Sequence, residues 1–146
     1  MISSEEKAFE LDVYTPTGHA LHTDARSVVF PAVDGEVGIL ADHTPLVAMV
    51  GSGRLVAQAP DGANRVFFVA GGFVQVRENV VTILAEDCCA VEDLDFDTAW
   101  NGLEQARRLP AETEREMESR QQAIETARIR FNMAQAARRR KMKGQQ

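Results

Sequence analysis

The chain changes its hydrophobic period once, near Asp93, and that change limits the fold more than any single motif. Before it, apolar residues alternate or form short runs broken by Gly, Pro, Asn and Asp. After it, they recur at steps of three and four. A period of two places one face of a strand on a core, and a period near 3.6 does the same for a helix. The chain is therefore expected to be mainly β followed by α. The β-rich domain should cover residues 1–93 and a helical hairpin residues 94–146.

In the first part, Phe9–Tyr14 alternates and breaks at Pro16-Thr17-Gly18. Short β-rich runs follow at Arg26–Pro31, Leu46–Val50, Arg54–Gln58, Arg65–Val69, Phe73–Val76 and Val80–Leu84. Turn signals separate them, notably Pro60-Asp61-Gly62 and Arg77-Glu78-Asn79. Many short strands with frequent turns predict a sandwich or barrel. Between two of these runs, Asp34–Leu46 holds two glycines, a proline, three acids and His43, and reads as an elaborate loop. His19 and His22 fall in a polar, turn-linked segment.

In the second part, Phe96, Ala99, Trp100, Leu103 and Ala106 form a helical stripe, with Asp93 or Asp95 as its cap. Pro110 ends this helix or opens the next. A longer helix is expected from about Glu112 to Lys141, with the stripe Met117, Ile124, Ala127, Phe131 and Ala134. Acids lead it and bases close it, which complements the helix dipole. A short connection predicts an antiparallel pair. Thin, alanine-rich stripes make such a pair marginally stable alone.

Charge follows the same division. Up to Leu94 there are 14 acids and 5 bases; from Asp95 onward there are 8 acids and 11 bases. The hydrophobic content of 45% supports a core, and no run approaches the ~20 apolar residues of a membrane helix. Met1–Glu6 is acidic and lacks the apolar centre of a signal peptide or the basic character of a transit peptide. Cys88 and Cys89 are adjacent, a geometry that disfavours pairing, and no CxxC motif exists. They read as reduced structural thiols.

Chemistry is missing where a catalyst would need it. Asp42-His43 lacks a nucleophile, since Thr44 beside the ring cannot reach it without strain. His19, His22 and His43 make an unconvincing metal set, because a strand can place the first two on opposite faces. Gly51-Ser52-Gly53 and Gly71-Gly72 lack the Lys-Ser/Thr of a phosphate loop. The basic end offers only Phe131 as an interleaved aromatic, so an acidic protein surface fits it at least as well as nucleic acid. No cofactor, metal or nucleic acid is expected.

Asp34–Leu46 resembles the "GELGI…GHAPL" segment of the epsilon subunit of F-type ATP synthase. Phe68–Val76 looks like that family's "SGG" strand pair, Asn79–Glu86 like its "NVTVLA" strand, and Phe9–Pro16 like its first strand. Four such segments in order, followed by a helical pair, cover nearly the whole chain. The resemblance implies a ten-stranded β-sandwich followed by an antiparallel α-helical hairpin. It implies a non-catalytic rotor subunit of the central stalk, which docks gamma onto the c ring and couples proton-driven rotation to ATP synthesis. It places such a protein peripherally at the cytoplasmic face of a bacterial membrane, or at a plastid thylakoid. Glu36, Asp42 and His43 would face the c ring and gamma. The hairpin would swing up to inhibit ATP hydrolysis, with Arg128, Arg130, Arg138, Arg139 and Arg140 meeting beta and alpha subunits. Some relatives bind ATP at I/L-D-x-x-R-A. Here Asp95 and Ala99 match, but Thr98 replaces the arginine, which removes a charge-assisted phosphate contact. A free-standing sandwich that oligomerises through its helices is the alternative.

Overall fold

A computed structural model describes residues 7–144. The expectation for Met1–Glu6 lies outside the described residues. The chain forms two compact units, Met1–Ala90 and Val91–Gln146.

The first unit holds eight strands among the described residues. They are β1 Phe9–Thr15, β2 Gly18–Ala25, β3 Ser27–Ala32, β4 Gly35–Leu40, β5 Leu46–Val50, β6 Gly53–Gln58, β7 Asn64–Arg77 and β8 Val80–Ala90. Eight strands rather than ten correct the expected count. The reason is the length of β7 and β8, which each serve both layers of the sandwich. The last part of β7 pairs with β5, and its first part with β6. The first part of β8 pairs in parallel with β1, and its last part with the first part of β7. One layer is therefore β2, β1, β8, β7 and β5; the other is β4, β3, β6, β7 and β8. Counted by layer, the segments number five and five.

The bend in β7 falls at Gly71 and Gly72, with φ of 48° and 133°. Only glycine adopts such angles without a steric penalty. A Cβ on Gly72 would sit 1.8 Å from the Leu84 carbonyl oxygen, so the close approach of β8 also demands glycine.

Alternation fills the space between the layers. Leu11 and Val13 from β1, Val81 and Ile83 from β8, and Val74 and Val76 from β7 meet Val28, Phe30, Ile39, Leu55 and Val69 in one core. Burying each such side chain stabilises by roughly 1.5–3 kcal/mol. Two elements differ from the sequence expectation. Gly35–Leu40 is strand β4, not loop, because Val37 and Ile39 point inward at period two and Ile39 is fully buried. Gly18–Ala25 is edge strand β2, whose Leu21 and Ala25 are buried, with Thr23 half-buried between them, while His22 and Asp24 face outward.

The second unit has a 3-10 turn at Val91–Asp93, α1 Phe96–Arg107 and α2 Glu114–Gly144. Asp95 caps α1 by accepting from the Thr98 N–H at 2.9 Å. The helices run antiparallel: Phe131 meets both Phe96 and Trp100, with ring centroids 5.2 and 5.4 Å away. Near the start of α1, Lys141 Nζ from the end of α2 donates to the Glu92 carbonyl at 2.9 Å. Ala99, Leu103, Ala106, Ala134 and Ala137 are buried. Met117, expected in the stripe, is exposed.

Candidate functional site

The residues singled out from Asp34–Leu46 do not form one cluster. Glu36 is the second residue of β4, opposite Pro31 of β3 and next to the turn at Asp34. Asp42 and His43 follow the far end of the same strand. Four steps of about 3.3 Å from Glu36 to Leu40 set the two ends of β4 roughly 13 Å apart.

At the Glu36 end, Ala32, Val33, Asp34, Gly35, Glu36, Val37, Ala48 and Met49 line an open groove of about 460 Å³. Glu36 is exposed on its rim. At the other end, Asp42 takes a left-handed conformation, φ 61°. Its backbone N–H donates to Asn79 Oδ1 at 2.8 Å, while Asn79 Nδ2 donates to the Ala8 carbonyl at 2.9 Å. Asn79 thus ties the β7–β8 turn to the segments before β1 and after β4. Lys7 reaches Asp42 at 3.4 Å, an exposed pair of little energetic weight. His43 Nδ1 donates to the Thr44 carbonyl at 2.7 Å, so that ring nitrogen serves the local turn.

A third surface was not anticipated. Tyr14 of β1 sits opposite Leu84 of β8, Leu84 opposite Phe73 of β7, and Phe73 opposite Met49 of β5. The four form a straight row across four adjacent strands on the outer face of one layer. They are 39%, 55%, 54% and 58% exposed, and Val47 beside them is 71% exposed. Isolated exposed apolar residues are ordinary, but a contiguous row marks an interaction face.

Beside that row lies the one buried charged side chain among the described residues, Asp12. It faces the same way, with His22 opposite it on β2. Both His22 Nδ1 and His19 Nε2 donate to Asp12 Oδ1, the latter at 3.1 Å. The hydrogen bond and charge of Asp12, with smaller contributions from Glu10 and Asp24, raise the His22 pKa above 6.5.

In the helical unit, Arg128, Arg139 and Arg140 are exposed and Arg130 is half-buried. Arg138 lies over the Phe96 ring, 4.5 Å from its centroid. Asp95 Oδ2 accepts from both the N–H and the hydroxyl of Thr98, which hold its pKa below 3.8. Ala99 is buried one turn on. Thr98 therefore takes up the carboxylate that the ATP motif would present beside an arginine.

Comparison with known proteins decides the family. The profile of the "ATP synthase, Delta/Epsilon chain, beta-sandwich domain" matches residues 8–91. The chain belongs to this family. An ATP synthase epsilon chain of Exiguobacterium is 39% identical over 89 residues, covering 61% of this chain and 65% of its own. A sodium-ion-specific epsilon chain of Propionigenium modestum is 33% identical over 91 residues, covering 62% and 66%. An epsilon chain of Nitratidesulfovibrio vulgaris is 32% identical over 133 residues, covering 87% and 98%. The chain thus spans just under two thirds of the first two relatives and nearly all of the third. A chain of the Tetrahymena thermophila mitochondrial ATP synthase, from its central stalk and c ring, matches the fold with a TM-score of 0.70. It is 16% identical, with 88% of this chain and 98% of that chain covered. A chain from the Euglena gracilis enzyme also gives 0.70, at 22% identity and coverage of 88% and 81%. These two likenesses establish the family's sandwich-plus-helices fold here.

Proposed function

We propose that this chain is a non-catalytic rotor subunit of the central stalk of an F-type ATP synthase. The row Tyr14, Leu84, Phe73 and Met49 carries this reading: it offers a flat apolar face on a rigid layer. A subunit gripped by a large partner needs such a face, since desolvating it drives association. The relatives named as epsilon chains, and the central-stalk setting of one matched structure, point to gamma as that partner.

The separation of Glu36 from Asp42 and His43 supports two polar contacts rather than one. The Glu36 end, with its groove and acidic rim, suits the polar loops of a c ring. Asp42, held by Asn79, and His43 beside it serve a contact with gamma at the opposite end. The working parts are the sandwich of residues 1–93 and the hairpin of residues 94–146. No helix among the described residues is long and apolar enough to cross a membrane. The proposed place is peripheral, on the cytoplasmic face of a bacterial membrane, held there through the complex.

The hairpin is the regulatory part. In the folded state Phe131 and Arg138 pack on α1, while Arg128, Arg139 and Arg140 remain exposed. Swinging α2 away exchanges these few contacts for an acidic surface of a beta or alpha subunit. Such exchange needs two states within a few kcal/mol of each other. The test is ATPase activity of the reconstituted catalytic head with the full chain and with residues 1–93. Lower activity with the full chain supports inhibition; equal activity leaves coupling alone. Failure of the full chain to bind gamma overturns the rotor reading.

A further inference from the structure

We propose that Asp12, His19 and His22 form a binding site for a zinc-class transition-metal ion on the outer face of the first hairpin. The proposal is independent of the rotor reading, because it rests on the local geometry of β1 and β2.

His19 and His22 are three residues apart, so a regular strand would point them to opposite faces. The register shifts between Val13 and Tyr14: Val13 pairs with Leu21, but Tyr14 pairs with His19. Ala20 is the extra residue. A bulge of this kind re-aims the side chain beside it, and here it brings His19 to the face that carries Asp12 and His22. Tyr14 then stacks on His19 with centroids 4.4 Å apart and planes 9° apart, which fixes the ring's direction.

The result is a convergent donor set. One atom each from Asp12, His19 and His22 lies within 4.8 Å of the others. The carboxylate is buried and therefore pre-positioned, while both rings are solvent-accessible, giving an ion a way in. Glu10 Oε1 stands 3.6 Å from His22 Nδ1 and can fill a fourth position, as can water. Glu10 is paired with Asp24 across the hairpin, so the surroundings are negative. Zinc bonds of about 2.0–2.1 Å in a tetrahedron separate ligand atoms by roughly 3.4 Å. To meet this, His22 must move away from Asp12 by less than the width of an atom, and the two ring nitrogens, which lie within 4.8 Å of each other, must settle at the same spacing; both rings are exposed enough to adjust. On binding, each ring carries its one remaining proton on the nitrogen facing away from Asp12, a doubly protonated ring first giving its extra proton to solvent, and the nitrogen now bonded to Asp12 turns its lone pair to the metal. Two imidazoles and a carboxylate suit zinc, copper, nickel or cobalt over calcium or magnesium.

The test uses the full chain, freed of metal, with Cys88 and Cys89 replaced by Ser so that thiols do not compete. Zinc is titrated calorimetrically at pH 7.5, and cobalt is titrated with its visible spectrum recorded. One equivalent should bind, with the NMR signals of His19 and His22 shifting and that of His43 unchanged. His19→Gln and His22→Gln, both at accessible positions, should each weaken binding at least ~10-fold. Asp12→Asn should do the same, with circular dichroism checking that it folds. Absence of saturable one-to-one binding overturns the site. So does affinity unchanged in both histidine variants.

Discussion

Thr98 donates its backbone N–H and its hydroxyl to the same oxygen of Asp95, at 2.9 and 2.7 Å. The cap of α1 is thus a closed local unit, and its carboxylate is committed. Because the folded pKa lies below 3.8, the cap's contribution is present above that value and is lost as pH falls through the folded pKa. Asp95→Ala should lower the thermal midpoint of the helical unit at pH 7 and lower it by less at pH 2. Circular dichroism at 222 nm, followed with temperature at both pH values, checks this.

Gly72→Ala should destabilise the sandwich by several kcal/mol, on the order of 3 or more, since the added methyl meets a backbone oxygen at a conformation closed to alanine. Gly102→Ala is the contrast. Nothing lies within 4 Å of its added methyl, and alanine gains about 1 kcal/mol over glycine within a helix. Urea denaturation of the two variants should therefore move in opposite directions.

Burial, with Asp87 beside it, pushes the Cys88 thiol up to about 11 from 9.0. At pH 8 its thiolate fraction is then roughly 100-fold lower than that of an ordinary thiol. Mass spectrometry should find Cys88 alkylated far more slowly by iodoacetamide in the folded chain than in urea. Equal rates would mean the thiol is freely accessible.

Phe73→Glu and Leu84→Glu should change stability by only about 0.5 kcal/mol, because both side chains already face water. Each should still abolish co-purification with gamma. If both variants bind gamma normally, the apolar row is not the docking face.

His22 faces Asp12, Glu10 and Asp24, all acidic, so its NMR titration in the metal-free chain should have a midpoint above 6.5. Stability held by the charged ring is full below 6.5 and lost as pH rises through the folded pKa. Asp12→Asn should move the midpoint back down.

Strands with a strong inward period were legible in the sequence, as was the switch to helical period. β2 was not, because an edge strand with one wet face carries only Leu21 and Ala25 as its buried signal. β4 was hidden by Gly35 and Gly38, which read as turn residues although Gly38 lies within a paired strand. The apolar row was missed for the opposite reason. Val80–Leu84 is apolar on both faces, so periodicity could not tell which residues point inward. The Asp12–His19–His22 set depends on the bulge at Ala20, and a one-residue slip leaves no mark in composition or spacing.

β7 and β8 each run through both layers of the sandwich, and this has a mechanical consequence. A stack of separate sheets resists sideways load only through side-chain contacts, which slip. Here a tangential load on one layer passes to the other along two covalent backbones. If the chain is the rotor part proposed above, that continuity lets torque cross the block with little shear.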